Sequence, residues 1–345
     1  MPVRKFFILS IDGGGIRGLI PSVFLSKLKE TLEKSGFTKP FHKVFDLMAG
    51  TSTGGLIALA LSVPLYRTNG YLYDEQGGIS PHKLPDLYIT LGDKVFPGSN
   101  RFVRKAIRQI FTSKYKADPF YLILKDLFKD CTVKSALTNL LITSFDMKSM
   151  QPVFIKKRPV ASGGDADPDY FMVDSALATA AVPTYFPPAY VCSIENPANA
   201  LCLIDGGVFC INPAMTALTE ARKICPGCEY FILSLGTGTQ RESYNVDKIK
   251  NWGSLSWISP WLGVPIIAAV GEGQRISTNH MLKKLPQVTF FRFDTELEDE
   301  KGRIDDGSRE NLGYLKEKAE ELVRDNMDQI EIIAQIIIQG NKVIY

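Results

Sequence analysis

Within its first 62 residues the chain twice passes from a short apolar run through glycines into a helix-forming segment. Lys5 to Ile11 is apolar and bounded by turn residues, the mark of a buried strand. After Gly13, Gly14, Gly15 and Gly18, the residues Ile20, Val23, Phe24, Leu28 and Leu32 recur on one helical face, which Gly36 ends. Val44 to Gly50 predicts a second buried strand, with Asp46 inside it. Thr51 to Gly55 reads as a turn, and Leu56 to Ser62 as an apolar helix stopped near Pro64. Strands that alternate with helices run parallel, because the chain must cross back over the sheet between them. The expected architecture is a parallel sheet covered by helices.

From Pro64 to about Asp130 this grammar loosens into turn-rich pieces, read as an insertion over one end of the sheet. Strands resume at Leu140 to Met147 and Gln151 to Lys157, as a hairpin or adjacent pair, and a helix from Asp174 breaks at Pro183. Further strands are expected from Ala200 into Asp205-Gly206-Gly207, from Glu229 to Gly238 and from Val288 to Asp294, and a helix from Leu312 to Ile338. No repeat or linker marks a second unit, so residues 1–345 are expected to form one domain carrying a variable insertion or lid at about 64–130. Forty basic against thirty-seven acidic side chains leave +3, which gives no electrostatic basis for a nucleic-acid partner. There is no signal-peptide pattern and no apolar run of the roughly 18 residues that span a bilayer, so a cytoplasmic protein, at most peripheral at membranes, is expected. The six cysteines read as buried thiols; Cys225-Pro-Gly-Cys228 lacks the second pair a metal site needs and precedes a strand instead of opening a helix.

Gly13, Gly15 and Gly18 spell the G-x-G-x-x-G of a dinucleotide site, but that site also needs an acidic residue at the end of the second strand. Here the second strand ends in Gly50-Thr51-Ser52-Thr53-Gly54, and Leu56 after Gly54-Gly55 excludes a Walker loop. G-x-S-x-G at a strand-to-helix turn is instead a nucleophile elbow, and it makes Ser52 the candidate nucleophile. An acyl-transfer serine needs amide donors for its oxyanion, and Gly13-Gly14-Gly15 lies after a neighbouring parallel strand, at the same sheet edge. Arg17 either orders that loop or adds positive charge to it. Of the three histidines, His42 is expected at the opposite edge, with His82 and His280 in surface or capping roles. Asp205 follows an apolar strand and two glycines follow it, so it is the better-placed base, provided desolvation raises its pKa.

Asp12 to Gly18 (DGGGIRG), Gly50 to Gly55 (GTSTGG) and Asp205 to Gly207 (DGG), in this order, resemble the patatin-like phospholipase family. Ala178 to Pro188, Ser234 to Gly238, Asn251 to Ile258 and Asp305 to Leu312 are also similar to family segments, so the resemblance covers nearly the whole chain and is weakest at the insertion. It implies a three-layer α/β sandwich around a mainly parallel sheet, with the elbow after a central strand. It further implies a Ser52–Asp205 dyad, an oxyanion loop of Gly13, Gly14, Gly15 and Arg17, an elbow framed by Gly50 and Gly54, and neither metal nor other cofactor. The implied activity is that of a serine lipid acyl hydrolase of phospholipase A type, cleaving fatty-acyl esters of phospholipids or glycolipids through an acyl–Ser52 intermediate. Transient membrane-surface contact follows from such a substrate, and a small-molecule or protein activator is left open. The alternatives are a catalytically silent storage or binding protein of the same fold and, less favoured, a nucleotide-dependent oxidoreductase using Gly13, Gly15 and Gly18. Asn100 to Phe111 reads as a basic amphipathic helix, on an anionic interface or packed on the core. Trp252, Trp257 and Trp261 line an acyl channel, touch membrane or pack in the core.

Overall fold

The computed structural model describes residues 3–64, 72, 74, 76–95, 117–159, 167–240, 246–257, 265–298 and 301–342. The two opening units become β1 (Lys5–Ile11), α1 (Leu19–Lys34), β2 (Leu47–Thr51) and α2 (Thr53–Ser62). Contrary to the sequence reading, Asp46 precedes β2: its carboxylate accepts the Phe7 N–H at 2.8 Å and pairs with Arg4, holding the start of β2 against β1. The described part of the insertion holds a turn at 76–80 and the helices α3 (Leu84–Val95) and α4 (Ala117–Phe128). There follow β3 (Asn139–Asp146), β4 (Gln151–Lys157), α5 (Met172–Ala180), β5 (Ala189–Val191), β6 (Leu201–Asp205), α6 (Ala214–Ile224), β7 (Glu229–Leu235) and β8 (Thr239–Gln240). The short α7 (Val246–Ile249) and α8 (Ser254–Trp257) lead to α9 (Pro265–Leu282), β9 (Val288–Phe293) and β10 (Glu296–Leu297). The single helix expected over Leu312–Ile338 is two, α10 (Arg309–Asp325) and α11 (Met327–Lys342), because Asn326 leaves helical geometry and its side chain donates back to Leu322 O at 2.8 Å.

The main sheet has the order β5-β6-β3-β2-β1-β7-β9, with β4 paired to β3 outside this path. The run β3-β2-β1-β7-β9 is parallel, whereas β4, β5 and β6 enter antiparallel. Alternating side chains build one layer on each face. Phe7, Leu9, Ile11 and Met48 pack in the larger core with α1, α2, α10 and α11, and Phe6, Ile8, Leu47 and Ala49 pack with α6 and Leu282 of α9. This is the expected α/β sandwich.

One detail of register positions the site. β4 occupies one edge of β3 along Leu140–Asp146, so the other edge is shared: β2 pairs with Asn139–Thr143 and β6 with Ser144–Asp146. Thr51 faces Thr143 and Asp205 faces the next residue, Ser144, so β2 and β6 meet end to end from opposite directions. The last residue of each arrives at the same point of the sheet.

The cysteine expectation needs two corrections. Cys225 and Cys228 are joined by a disulfide, with Gly227 at φ +78° folding the tetrapeptide back so that their Cα atoms lie 5.8 Å apart. Cys131 and Cys210 are free and buried as expected, whereas Cys192 and Cys202 are free but only partly buried.

Candidate active site

Ser52 sits between β2 and α2 at φ 54° and ψ −123°, a backbone region that costs a non-glycine residue energy and persists only where its surroundings hold it. Those surroundings are tight. A Cβ on Gly50 would overlap the Gly54 carbonyl, and one on Gly54 would overlap Ile11 O at the end of β1. The elbow is also pegged by threonines. Ser52 N–H donates to Thr179 Oγ1 at 2.8 Å, and that hydroxyl donates to Thr143 O at 2.7 Å. Thr51 Oγ1 donates to Cys210 O at 2.6 Å and contacts Thr143 Oγ1 at 2.8 Å, tying β2 to the segment after Asp205. Ser52 is only 5% exposed, and its carbonyl accepts Leu56 N–H in the first turn of α2.

Asp205 is 2% exposed. Its N–H donates to Ala181 O at 3.0 Å, and its Oδ1 accepts Gly207 N–H at 2.7 Å. Gly206 lies so close to Thr143 that a Cβ there would overlap the threonine hydroxyl. Burial pushes the carboxyl up to about 7, against the opposing pull of the Ser52 hydroxyl and the Gly207 N–H. Ser52 is thus near enough to act on Asp205, yet Asp205 Oδ2 is buried and meets no hydrogen-bond geometry among the described residues. Contacts of this kind commonly close only when substrate binds.

The glycine loop abuts the elbow: a Cβ on Gly13 would lie 3.3 Å from Ser52 Cβ. Its three amides are not equivalent, contrary to the expectation of three donors. Gly13 N–H is already committed to Ile211 O at 3.0 Å, while Gly14 and Gly15 N–H engage no acceptor among the described residues. Gly15 takes φ +58°, a conformation that favours glycine, and a Cβ there would overlap Ile304 O. Arg17 engages acceptors outside the loop. Its guanidinium turns to the Gly302 and Gly238 carbonyls and donates to Gln240 Oε1 at 2.6 Å, so of the two roles left open by the sequence it performs loop ordering.

Ser52 and Gly15 open into a largely apolar pocket. Leu56, Leu91, Val95, Phe120, Val182 and Phe186 line it, so the two helices of the insertion supply much of the wall. Phe120 and Phe186 pack ring to ring at 5.6 Å. Tyr88, also on this wall, donates to Thr53 O at 3.1 Å and fastens α3 to the elbow.

The histidines are elsewhere. His42 is buried against Gly77 O, with burial pulling its pKa down; His82 bridges Ser26 and Glu33; His280 is exposed on α9. Among the described residues no group of three or more His, Cys, Asp or Glu side chains is arranged to hold a metal. Asn100 to Phe111 and Trp261 lie outside the described residues; Trp252 and Trp257 contact each other edge to face at 5.3 Å. Sequence reasoning missed the threonine pegs and Tyr88.

Comparison with known proteins finds relatives along most of the chain. Patatin-like protein 2 of Arabidopsis thaliana is 29% identical over 94% of this chain and 84% of its own. Patatin-2-Kuras 3 of Solanum tuberosum is 29% identical over 92% and 83%, and a potato protein named as a probable inactive patatin-3-Kuras 1 is 31% identical over 73% and 68%. A solved structure, VipD from Legionella pneumophila, aligns with 94% of this chain and 67% of its own at a TM-score of 0.39 and 12% identity. The sequence model of the patatin-like phospholipases matches residues 9–218, from β1 through the elbow and Asp205 into α6, and the chain belongs to that family.

Proposed function

We propose that the protein is a serine lipid acyl hydrolase of phospholipase A type, working through an acyl–Ser52 intermediate. The observation that carries this reading is a buried carboxyl, pushed up to about 7, set against the hydroxyl of a strained elbow serine at the mouth of an apolar pocket. The acyl chain lies in the pocket, Ser52 Oγ attacks the ester carbonyl, and its proton passes to Asp205. The negative oxygen of the tetrahedral intermediate takes hydrogen bonds from the Gly14 and Gly15 amides, with the amino end of α2 adding its dipole. Collapse breaks the ester C–O bond, and Asp205 returns the proton to the departing alkoxide. Water, deprotonated by Asp205, then attacks the acyl–Ser52 carbonyl; the bond to Ser52 Oγ breaks, Asp205 returns the proton to that oxygen, and the fatty acid leaves. A fluorophosphonate probe is expected to label wild type on Ser52 alone. Labelling that survives Ser52→Ala, or wild type that neither labels nor hydrolyses phospholipid, removes the reading.

We further propose that the protein works at a lipid surface. β9 runs parallel to β1, so α9, which precedes it, descends from the sheet edge where Ser52 lies. Gln274 of α9 accepts Ile211 N–H at 3.1 Å and donates to Val208 O at 3.2 Å, beside the Asp205 turn. The residues before it rise away from this turn at about 1.5 Å each. Ile266, Ile267 and Val270 there are 43%, 50% and 46% exposed, and Ala268 and Ala269 are exposed with them, an apolar turn suited to an interface. Ile266→Asp with Ile267→Asp is expected to lower hydrolysis of phosphatidylcholine vesicles roughly tenfold or more while leaving a soluble short-chain ester unaffected. Equal loss on both substrates, or none, refutes the surface assignment.

A further inference from the structure

Arg292 lies in a row of the sheet that breaks the apolar pattern of its neighbour. One row across β1, β7 and β9 is Ile8, Ile232 and Phe290; the next row on that face, closer to the active edge, is Ser10, Ser234 and Arg292. Arg292 reaches from β9 across β7 to Asp12, the residue directly before the glycine loop. Its two terminal nitrogens contact the two carboxylate oxygens at 2.9 and 2.6 Å, with Ser234 Oγ at 2.9 Å and Asp294 Oδ2 at 2.7 Å. Both partners of this pair are almost fully buried, with side-chain exposures of 9% and 2%.

A buried ion pair is weak evidence for stability, since removing two charges from water offsets much of their attraction and an apolar row fills the same space. What the fork supplies is position. Asp12 N–H continues the ladder to Leu235 O, and Gly13 N–H binds Ile211 O, so the chain entering the loop is held at its backbone and at one carboxylate. Asp294 extends the grip: it accepts Arg275 Nη1 at 2.8 Å and Gly238 N–H at 3.0 Å, next to Thr237, whose hydroxyl donates to Gly13 O at 2.7 Å. Arg292 also answers an electrostatic problem. A carboxylate two residues from the Gly14 amide, left unpaired, would oppose the negative oxygen forming there.

We propose that Arg292 is the positioning residue of the glycine loop, holding Asp12 in a fork so that the Gly14 and Gly15 amides stay aimed at the oxyanion while the charge of Asp12 is neutralised. The inference rests on the acyl-hydrolase reading above. Four acceptors around one planar group explain arginine over lysine, whose ammonium cannot fork.

The test compares wild type, Arg292→Lys, Arg292→Gln and Asp12→Asn in kcat, KM, melting temperature and inhibition by an acyl trifluoromethyl ketone, which forms a tetrahedral oxyanion adduct with a reactive serine. Arg292→Lys is expected to lower kcat roughly 10- to 100-fold with KM within about twofold, and to weaken the ketone by the same factor. Arg292→Gln falls further, and Asp12→Asn provides the readout should the arginine variants not fold. Loss of kcat with unchanged ketone inhibition in folded protein, or an Arg292→Lys enzyme equal to wild type, overturns the proposal. Wild type without ester turnover defeats the hydrolase reading itself, and this inference with it.

Discussion

Asp205→Asn is expected to lower kcat by about 10²- to 10⁴-fold and, above pH 7, to make the protein more stable than wild type. Both effects have one cause. Asp205 is buried with a single hydrogen-bonded oxygen, so its carboxyl is pushed up to about 7, whereas in the unfolded chain it titrates near the ordinary aspartate value of 3.8. Below pH 4 both states carry the proton and the group is neutral toward folding. Between pH 4 and 7 the unfolded chain ionises and the native one does not, so the cost to folding grows with pH and reaches its full size above 7. A shift of about three units caps that cost at roughly 4 kcal/mol. Asparagine keeps the acceptor for Gly207 N–H and carries no charge, so it removes the cost and the base together. Melting curves of the two proteins should differ most at pH 8 and draw together toward pH 4. The acid limb of wild-type kcat/KM should have its midpoint near 7, since only ionised Asp205 takes the Ser52 proton. Full activity in Asp205→Asn, or a melting temperature at pH 8 no higher than that of wild type, contradicts the assignment.

The elbow and the parallel strands were legible because they are local: apolar runs of strand length, glycines where the chain turns, and a helical period after each. β1 has the bounds its sequence suggests, whereas α2 begins at Thr53 inside the expected glycine turn, three residues before the expected Leu56. The direction of β6 was not legible. An apolar strand ending in Asp-Gly-Gly looks the same whether it rises beside β2 or descends toward it, and that choice is made by β4 occupying the far edge of β3. The glycine loop was recognisable as an anion-facing turn, but which amides remain available depends on Ile211, some 200 residues away in sequence. Arg17 was ambiguous for the same reason, its acceptors lying at 238, 240 and 302. Asn326 could have been noticed, because asparagine tolerates a helix break where a continuous apolar period hides it. The Arg292–Asp12 fork had no local signature at all; it exists only once β7 lies between β1 and β9.

Gly54→Ala is expected to be, with Gly50→Ala, among the most damaging methyl additions near Ser52. The new Cβ falls inside the contact radius of Ile11 O, with Asp12 O 2.8 Å away, so it meets main chain at the end of β1, with no flexible side chain to yield. Either α2 moves off the sheet or the last residues of β1 shift. The first option strains a serine already at φ 54°, and the second displaces Asp12 and the loop whose Gly14 and Gly15 amides are to meet the oxyanion. Overpacking against main chain typically costs about 3 kcal/mol, which for a protein of this size lowers the melting temperature by roughly 6 °C. Activity should suffer more than stability does, because a displacement of about 1 Å at the reacting atoms costs on the order of 100-fold in kcat. Gly36→Ala is the matched control: that glycine ends α1 at φ +79° with nothing within 4 Å of a Cβ, so strain there is confined to the helix end and kcat is expected to stay at the wild-type value. An active Gly54→Ala enzyme would mean that β1 and α2 do not have to touch for Ser52 to be held, and the close approach of these two backbones would no longer explain why the elbow carries glycine.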